Sequence, residues 1–140
     1  MNDRPLALIV RNQHPLMLRA EDTVQHACRS MWERRVGAVL VTDAGGRLQG
    51  IFTGRDAVRV LRDNMDAVCT TLGATMTPNP KTLAPECTTI EALRAMQDGG
   101  FRHIPIVSKE RILGIVSQAD FTGEEVEHLD HETHLWERIA

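Results

Sequence analysis

Tyrosine is missing from this chain altogether, and aromatic side chains make up only 4% of its 140 residues. Its core must therefore be built from Val, Ile, Leu, Met and Ala rather than from rings. Cysteine is scarce: Cys28, Cys69 and Cys87 lie far apart and form no CxxC pair. That spacing argues against a disulfide framework or a zinc ribbon and fits free thiols in a reducing cytosol. Long hydrophobic runs are absent too. No stretch approaches the roughly eighteen apolar residues of a membrane span, and the opening MNDRPLALIVRNQHP is too short in its apolar part for a signal peptide. The expectation is a cytoplasmic protein with no membrane contact. Excess positive charge is lacking as well: the net charge is -3, with no basic stripe of the kind nucleic-acid binding needs. No Ser–His–Asp, His–Cys or paired-carboxylate set suggests catalysis.

What is present is ordinary in bulk, with 42% hydrophobic and 25% charged residues, enough for one domain or two small fused units. The informative feature is repetition. Residues 50–56 read GIFTGRD and residues 114–120 read GIVSQAD. At an offset of 65, Pro15 falls on Pro80, Leu18 on Leu83, Glu21 on Glu86, Thr23 on Thr88, Ala27 on Ala92 and Met31 on Met96. After the turn the offset is 64, and Arg47, Gly50, Ile51 and Asp56 fall on Arg111, Gly114, Ile115 and Asp120. A repeat of this kind fixes the architecture before anything else does.

Each copy predicts the same order, β-α-β-β-α. A short extended piece (15–18, 80–83) precedes a helix, with Asp22 and Gln25 or Thr88 and Glu91 at capping-box spacing. Val24, Ala27, Cys28 and Met31 form one apolar stripe; Ile90, Leu93, Met96 and Gln97 form a less regular one. Continuous apolar strands follow at 38–41 and 104–107, which indicates burial on both faces. Tight turns come next, TDAGGR with Gly45–Gly46 supplying positive φ, and SKER. The second strand of each copy ends in the seven-residue motif and a second helix. The fold class is α/β, with two such repeats packed about a pseudo-twofold axis and clefts between them. The boundaries are 5–65 for the first repeat, 70–122 for the second and 123–140 for a C-terminal helical extension.

The motif has two compatible readings. Thr53 with Asp56, and Ser117 with Asp120, match [ST]-x-x-[DE], so hydroxyl and acid can cap a helix, although the short Asp arm reaches back less well than Glu. The same helix start also offers free N–H groups to a phosphate, a hydroxyl donor, and a carboxylate able to accept both hydroxyls of a ribose. On this reading Gly50 and Gly114 would let a ligand ring approach the strand.

The pattern G-h-x-[ST]-x-x-D closing each of two β-α-β-β-α repeats resembles a tandem CBS-domain pair, the Bateman module. EDTVQHACRSM, TTIEALRAM and FRHIPIV match the wording of that family, over residues 5 to 122. The resemblance implies a stand-alone regulatory module rather than an enzyme. It implies an adenosyl ligand, AMP, ADP or ATP first and NAD or S-adenosylmethionine as alternatives, with no required cofactor. Homodimer formation, and an unidentified regulated protein as partner, are implied too. Carried over by motif, one site joins Thr53, Arg55 and Asp56 with Thr82, Arg102, His103 and Ile104. The other joins Ser117 and Asp120 with Asp22, Gly37, Ala38 and Val39. On this grouping the cations favour a phosphorylated nucleotide beside Asp56 and a less charged ligand, or none, beside Asp120. The competing reading is an interaction module whose clefts are vestigial. His128, His131 and His134 are expected on a solvated helix face rather than at a metal, and Trp32 and Trp136 either anchor an interface or pack in the core.

Overall fold

The computed structural model describes residues 3–121, 123 and 125. Its elements, in chain order, are α1 (Leu6–Ile9), β1 (Met17–Arg19), α2 (Val24–Arg34), β2 (Ala38–Thr42), β3 (Leu48–Thr53), α3 (Gly54–Arg62), α4 (Leu72–Thr75), β4 (Thr77–Pro78), α5 (Thr89–Gly99), β5 (His103–Ser108), β6 (Arg111–Ser117) and a 3-10 turn at Gln118–Asp120. Among the described residues these form two compact units. The first unit holds 14–81 with 109–112; the second holds 3–13, 82–108 and the residues from 113 onward.

The first unit is built on a four-stranded sheet in the order β1-β2-β3-β4. β1 runs parallel to β2, with Leu18 opposite Val41, while β2–β3 and β3–β4 are antiparallel. All five residues of β2 are buried, as its unbroken apolar run requires. Val39, Val41 and Phe52 of the sheet meet Val24, Ala27 and Met31 of α2, Val60 of α3 and Leu72 of α4. The α2 stripe at 24, 27 and 31 is thus the core face, with Cys28 partly buried at its margin.

The second unit repeats this plan in a reduced form. β5 and β6 pair, and the counterpart of β1 shrinks to a parallel bridge between Leu83 and Ile106. Ile90, Ala92, Leu93 and Met96 of α5 close over Ile104, Ile106 and Val116; Gln97 is exposed and takes no part.

The remaining wall of each core comes from a segment that the repeat reading placed elsewhere. Residues 5–13 open the first repeat as the sequence divides it, yet Leu6 and Val10 lie in the core of the second unit. Residues 71–75 open the second repeat, yet Leu72 and Thr75 are buried in the first unit. The two segments dock identically. Val24 donates to the carbonyl of Thr70 as Thr89 donates to that of Arg4, both at 2.9 Å. Leu72 donates to Asp22 as Leu6 donates to Cys87, both at 2.8 Å. Isolated bridges, Thr23 with Thr71 and Pro5 with Thr88, complete the match. Each leading segment therefore serves the other copy.

Several local expectations change. α2 is capped by Thr23, whose hydroxyl accepts from His26 N at 3.1 Å, not by Asp22. Asp22 sits one residue too early and accepts from Arg19 N at 2.8 Å instead. The α5 cap is as expected, Thr88 with Glu91. Of the glycine pair only Gly46 has positive φ, while Asp43 braces that turn by accepting from the amides of Gly45 and Arg47. The SKER turn places two non-glycine residues, Lys109 and Glu110, at positive φ, the geometry of a mirror-image two-residue hairpin. Trp32 is 86% exposed, so it is not a core residue. Ser117 opens a 3-10 turn; most of the second helix expected after it, with Trp136 and the three histidines of the tail, lies outside the described residues.

Leu6 is fully buried and Leu8, one turn-face away, is 54% exposed. Leu6→Ala is expected to cost about 2–5 kcal/mol and Leu8→Ala less than about 1. Urea unfolding of the two variants decides the matter; equal midpoints would detach the leading segment from the core.

Candidate functional site

In both units the motif occupies the point where a core strand ends and a helical turn begins. β3 delivers Thr53 and β6 delivers Ser117 in extended conformation, and the chain then turns sharply. The carboxylate three residues on closes that turn. Asp56 Oδ2 accepts from Thr53 N at 2.9 Å, and Asp120 Oδ2 accepts from Ser117 N at 2.7 Å. The hydroxyls of Thr53 and Ser117 approach the same oxygens at 3.4 and 3.3 Å. The Asp arm is long enough after all, and the capping reading holds at both copies.

The start of the preceding strand lies directly beside each motif. In the first unit Ala38 is opposite Thr53 and Val39 opposite Phe52, while Gly54 N donates to Gly37 O at 3.2 Å. In the second unit Gln118 N donates to Arg102 O at 3.1 Å. Thus the first unit gathers Gly37, Ala38, Val39, Thr53, Arg55 and Asp56, and the second gathers Arg102, His103, Ile104, Ser117 and Asp120. The expected grouping set each strand start against the motif of the other copy, across the two units; within each unit the strand start also lies beside its own motif. Antiparallel pairing of two strands in one hairpin forces the start of one beside the end of the next. Thr82 and Asp22 belong to the unit other than that of the motif each was expected to join.

Within the second unit this adjacency brings charge to the motif: Arg102 and His103 stand beside the Asp120 turn. Burial lowers the pKa of His103; the Asp120 carboxylate pulls it up and the Arg102 guanidinium pushes it further down. His103 is therefore neutral at pH 7. Asp120 is exposed, and among the described residues no donor reaches its Oδ1. Asp56 is more enclosed: Arg59 donates to its Oδ1 at 3.3 Å and also to the carbonyl of Thr75. The residue matching Arg59 in the second copy is Gly123, whose Cβ position is open.

The motif glycines do not leave room for a ring. A Cβ on Gly50 would lie 2.5 Å from Met76 Sδ, and one on Gly114 would lie 2.6 Å from Gln13 Oε1 and 2.7 Å from Val10 Cβ. Both glycines are small so that the leading or linking segment can pack on the strand. Gln13, which sequence reasoning passed over, uses that approach to accept from Ile115 N at 3.0 Å. Among the described residues no three His, Cys, Asp or Glu cluster as for a metal, and no helix is long and apolar enough to cross a membrane.

With these loci described, known proteins give them a context. The CBS domain model matches residues 9–63 and again 71–127. The chain belongs to the CBS domain family. A CBS domain-containing protein of Arabidopsis thaliana is 31% identical over 132 residues, which is 94% of this chain but 24% of that protein; the chain spans about a quarter of its relative. Among solved structures, a CBS domain protein from Pyrobaculum aerophilum complexed with AMP superposes with TM-score 0.81 at 19% identity, covering 91% of this chain and 99% of that one. The CBS domain pair of protein MJ0100, in complex with 5'-methylthioadenosine and S-adenosyl-L-methionine, superposes with TM-score 0.75 at 22% identity, covering 82% and 94%. At those identities the likeness is one of fold: two CBS repeats of mixed α/β structure.

The depressed pKa of His103 sets a pH dependence. Between its folded value and the ordinary 6.5, the unfolded chain binds more protons than the folded one, so stability rises with pH through that window and falls as pH drops below about 6.5. Urea midpoints measured from about pH 5 to 7 should show a shallower acid fall in His103→Gln than in the wild type. Parallel curves would remove His103 as a contributor.

Proposed function

We infer that this CBS chain is a regulatory module that binds an adenosyl ligand, an adenine nucleotide such as AMP, ADP or ATP, rather than an enzyme. The observation that carries the reading is the carboxylate placed twice, at equivalent strand-to-helix junctions, beside the start of the neighbouring strand. In each unit the arrangement offers an acceptor for ribose hydroxyls next to backbone polar groups at a chain turn. Capping does not compete with this role. Each carboxylate oxygen has more than one lone pair, and the reach-back bond holds the group in a fixed orientation.

The two loci are unequal. Arg102 and the neutral imidazole of His103 stand with Asp120, whose outer oxygen takes no bond from a described residue; Asp56 is engaged by Arg59. The Asp120 locus is accordingly the one for a phosphorylated nucleotide, since guanidinium and imidazole are phosphate partners. The Asp56 locus, with Arg55 and the uncharged strand start 37–39, suits a less charged adenosyl compound such as S-adenosylmethionine, or none. That AMP accompanies one structure of the same fold, and S-adenosyl-L-methionine another, supports the ligand class. The readout is a homodimer or a partner protein that senses the loaded state in the cytoplasm.

Exposed Trp32, Val58 and Leu61 favour a second reading, an assembly module with unused loci. A melting screen against AMP, ADP, ATP, NAD and S-adenosylmethionine separates the two. A nucleotide at about a hundred times its dissociation constant should add about 2.7 kcal/mol to unfolding. Asp120→Asn is expected to remove most of that gain for AMP, and Asp56→Asn to leave most of it. No shift with any of these compounds would leave the assembly reading standing.

A further inference from the structure

The second unit contains a device that the first lacks. Arg4, just before the docked α1, extends a forked guanidinium to two partners. Its Nη2 donates to Glu125 Oε1 at 2.7 Å and its Nε donates to Glu125 Oε2 at 3.2 Å, a bidentate pair. The same Nη2 donates to the backbone carbonyl of Asp120 at 3.2 Å. Glu125 is only 4% exposed, so this is a buried carboxylate neutralised by an arginine from the opposite end of the sequence. The segment carrying Arg4 is itself fastened: Asp3 Oδ1 accepts from Thr89 Oγ1 at 2.7 Å and from Ile90 N at 3.1 Å, and Arg4 O accepts from Thr89 N.

The equivalent docked segment of the first unit offers an internal comparison. There Thr70 stands where Arg4 stands, donating no such fork, and the residue matching Glu125 is the exposed Leu61. The tie there is of another kind: Arg59 of α3, not the docked segment, carries the guanidinium that joins Asp56 Oδ1 to the carbonyl of Thr75, and no buried glutamate takes part among the described residues. The fork from the docked segment to a buried carboxylate is thus a property of the Asp120 locus, not of the fold.

We propose that Arg4 is a positioning residue of the Asp120 locus: by holding the Asp120 carbonyl against buried Glu125, it makes segment 3–13 a strap that fixes the orientation of the ribose-binding carboxylate. The proposal rests on the nucleotide reading for its ligand, but the mechanical claim stands apart from it. A force or partner that lifts the strap weakens nucleotide binding at Asp120, and by linkage a bound nucleotide holds the strap down by the same factor.

The test uses the double variant Arg4→Met/Glu125→Leu, which replaces the ion pair with apolar groups of similar volume and so spares the fold an unpaired buried charge. Hydrogen exchange of the ligand-free chain is measured first. Faster exchange at the amides of Ser117, Gln118 and Phe121, with Thr53 and Gly54 unchanged, is the expected result. Unchanged exchange at 117–121, or equal acceleration at both loci, would overturn the proposal. Should that variant fail to fold, Arg4→Lys keeps the charge, loses the fork and is read the same way. AMP titration is the second arm. Affinity at the Asp120 locus should fall about tenfold, the size of one lost bond to a charged group, and ligand should slow exchange in 3–13 of the wild type only. Wild-type chain that binds no adenosyl compound would refute the nucleotide reading, and the exchange arm would then decide the strap on its own.

Discussion

The structure depends on one short hydrogen bond made twice, the carboxylate of an Asp reaching back three residues to the amide that ends a core strand. At Thr53 and Ser117 the chain leaves a buried strand and must turn at once, with its ladder partners exhausted. An amide stranded there would cost free energy comparable to a lost hydrogen bond. The Asp satisfies it locally, and in doing so is held in one orientation at the surface. On the proposed function, stability of the turn and readiness for a sugar hydroxyl come from the same geometry, so the capping and binding readings are compatible.

Around that junction the packing is economical. With few rings available, each core is made of β-branched and aliphatic side chains from one helix and a strand hairpin, and neither hairpin is covered by its own repeat alone. The short helices α1 and α4 supply the missing wall. They dock through the same backbone bonds, and the glycines of the motif are what let their flanking residues come close. A glycine that looked like space for a ligand is instead space for Met76 or for Val10 and Gln13. The near-equivalence of the two docked segments makes a difference between them informative: Arg4 carries a fork and Thr70 does not.

Much of the local structure around the motifs was legible in advance. The paired seven-residue motifs, the β-α-β-β-α order, the core stripe of α2 and the buried run of β2 all follow from repetition and periodicity, which local chemistry writes into adjacent letters. That Arg102 and His103 also lie beside the motif of their own copy was not read from the sequence, because which strand start lies beside which motif within a unit is a matter of hairpin pairing, not of composition. Asp22 missed the cap by one position, as a helix boundary shifts easily when Asp and Thr stand side by side. The roles of Gln13 and Arg4 could not be read at all. Their partners, Ile115, Asp120 and Glu125, are more than a hundred positions away, and no local pattern marks the pairing.

The sequence by itself determined the family, the duplicated fold and the identity of the two carboxylates, because these rest on short-range spacing: a period of two or of nearly four, and a three-residue reach from acid to amide. Only the tertiary structure decided that Arg102 and His103 stand beside the Asp120 turn, that each leading segment completes the core of the other copy, and that a buried ion pair joins Arg4 to Glu125. Those outcomes are contacts between distant parts of the chain, and they are selected by burial of whole faces rather than by any run of neighbouring residues.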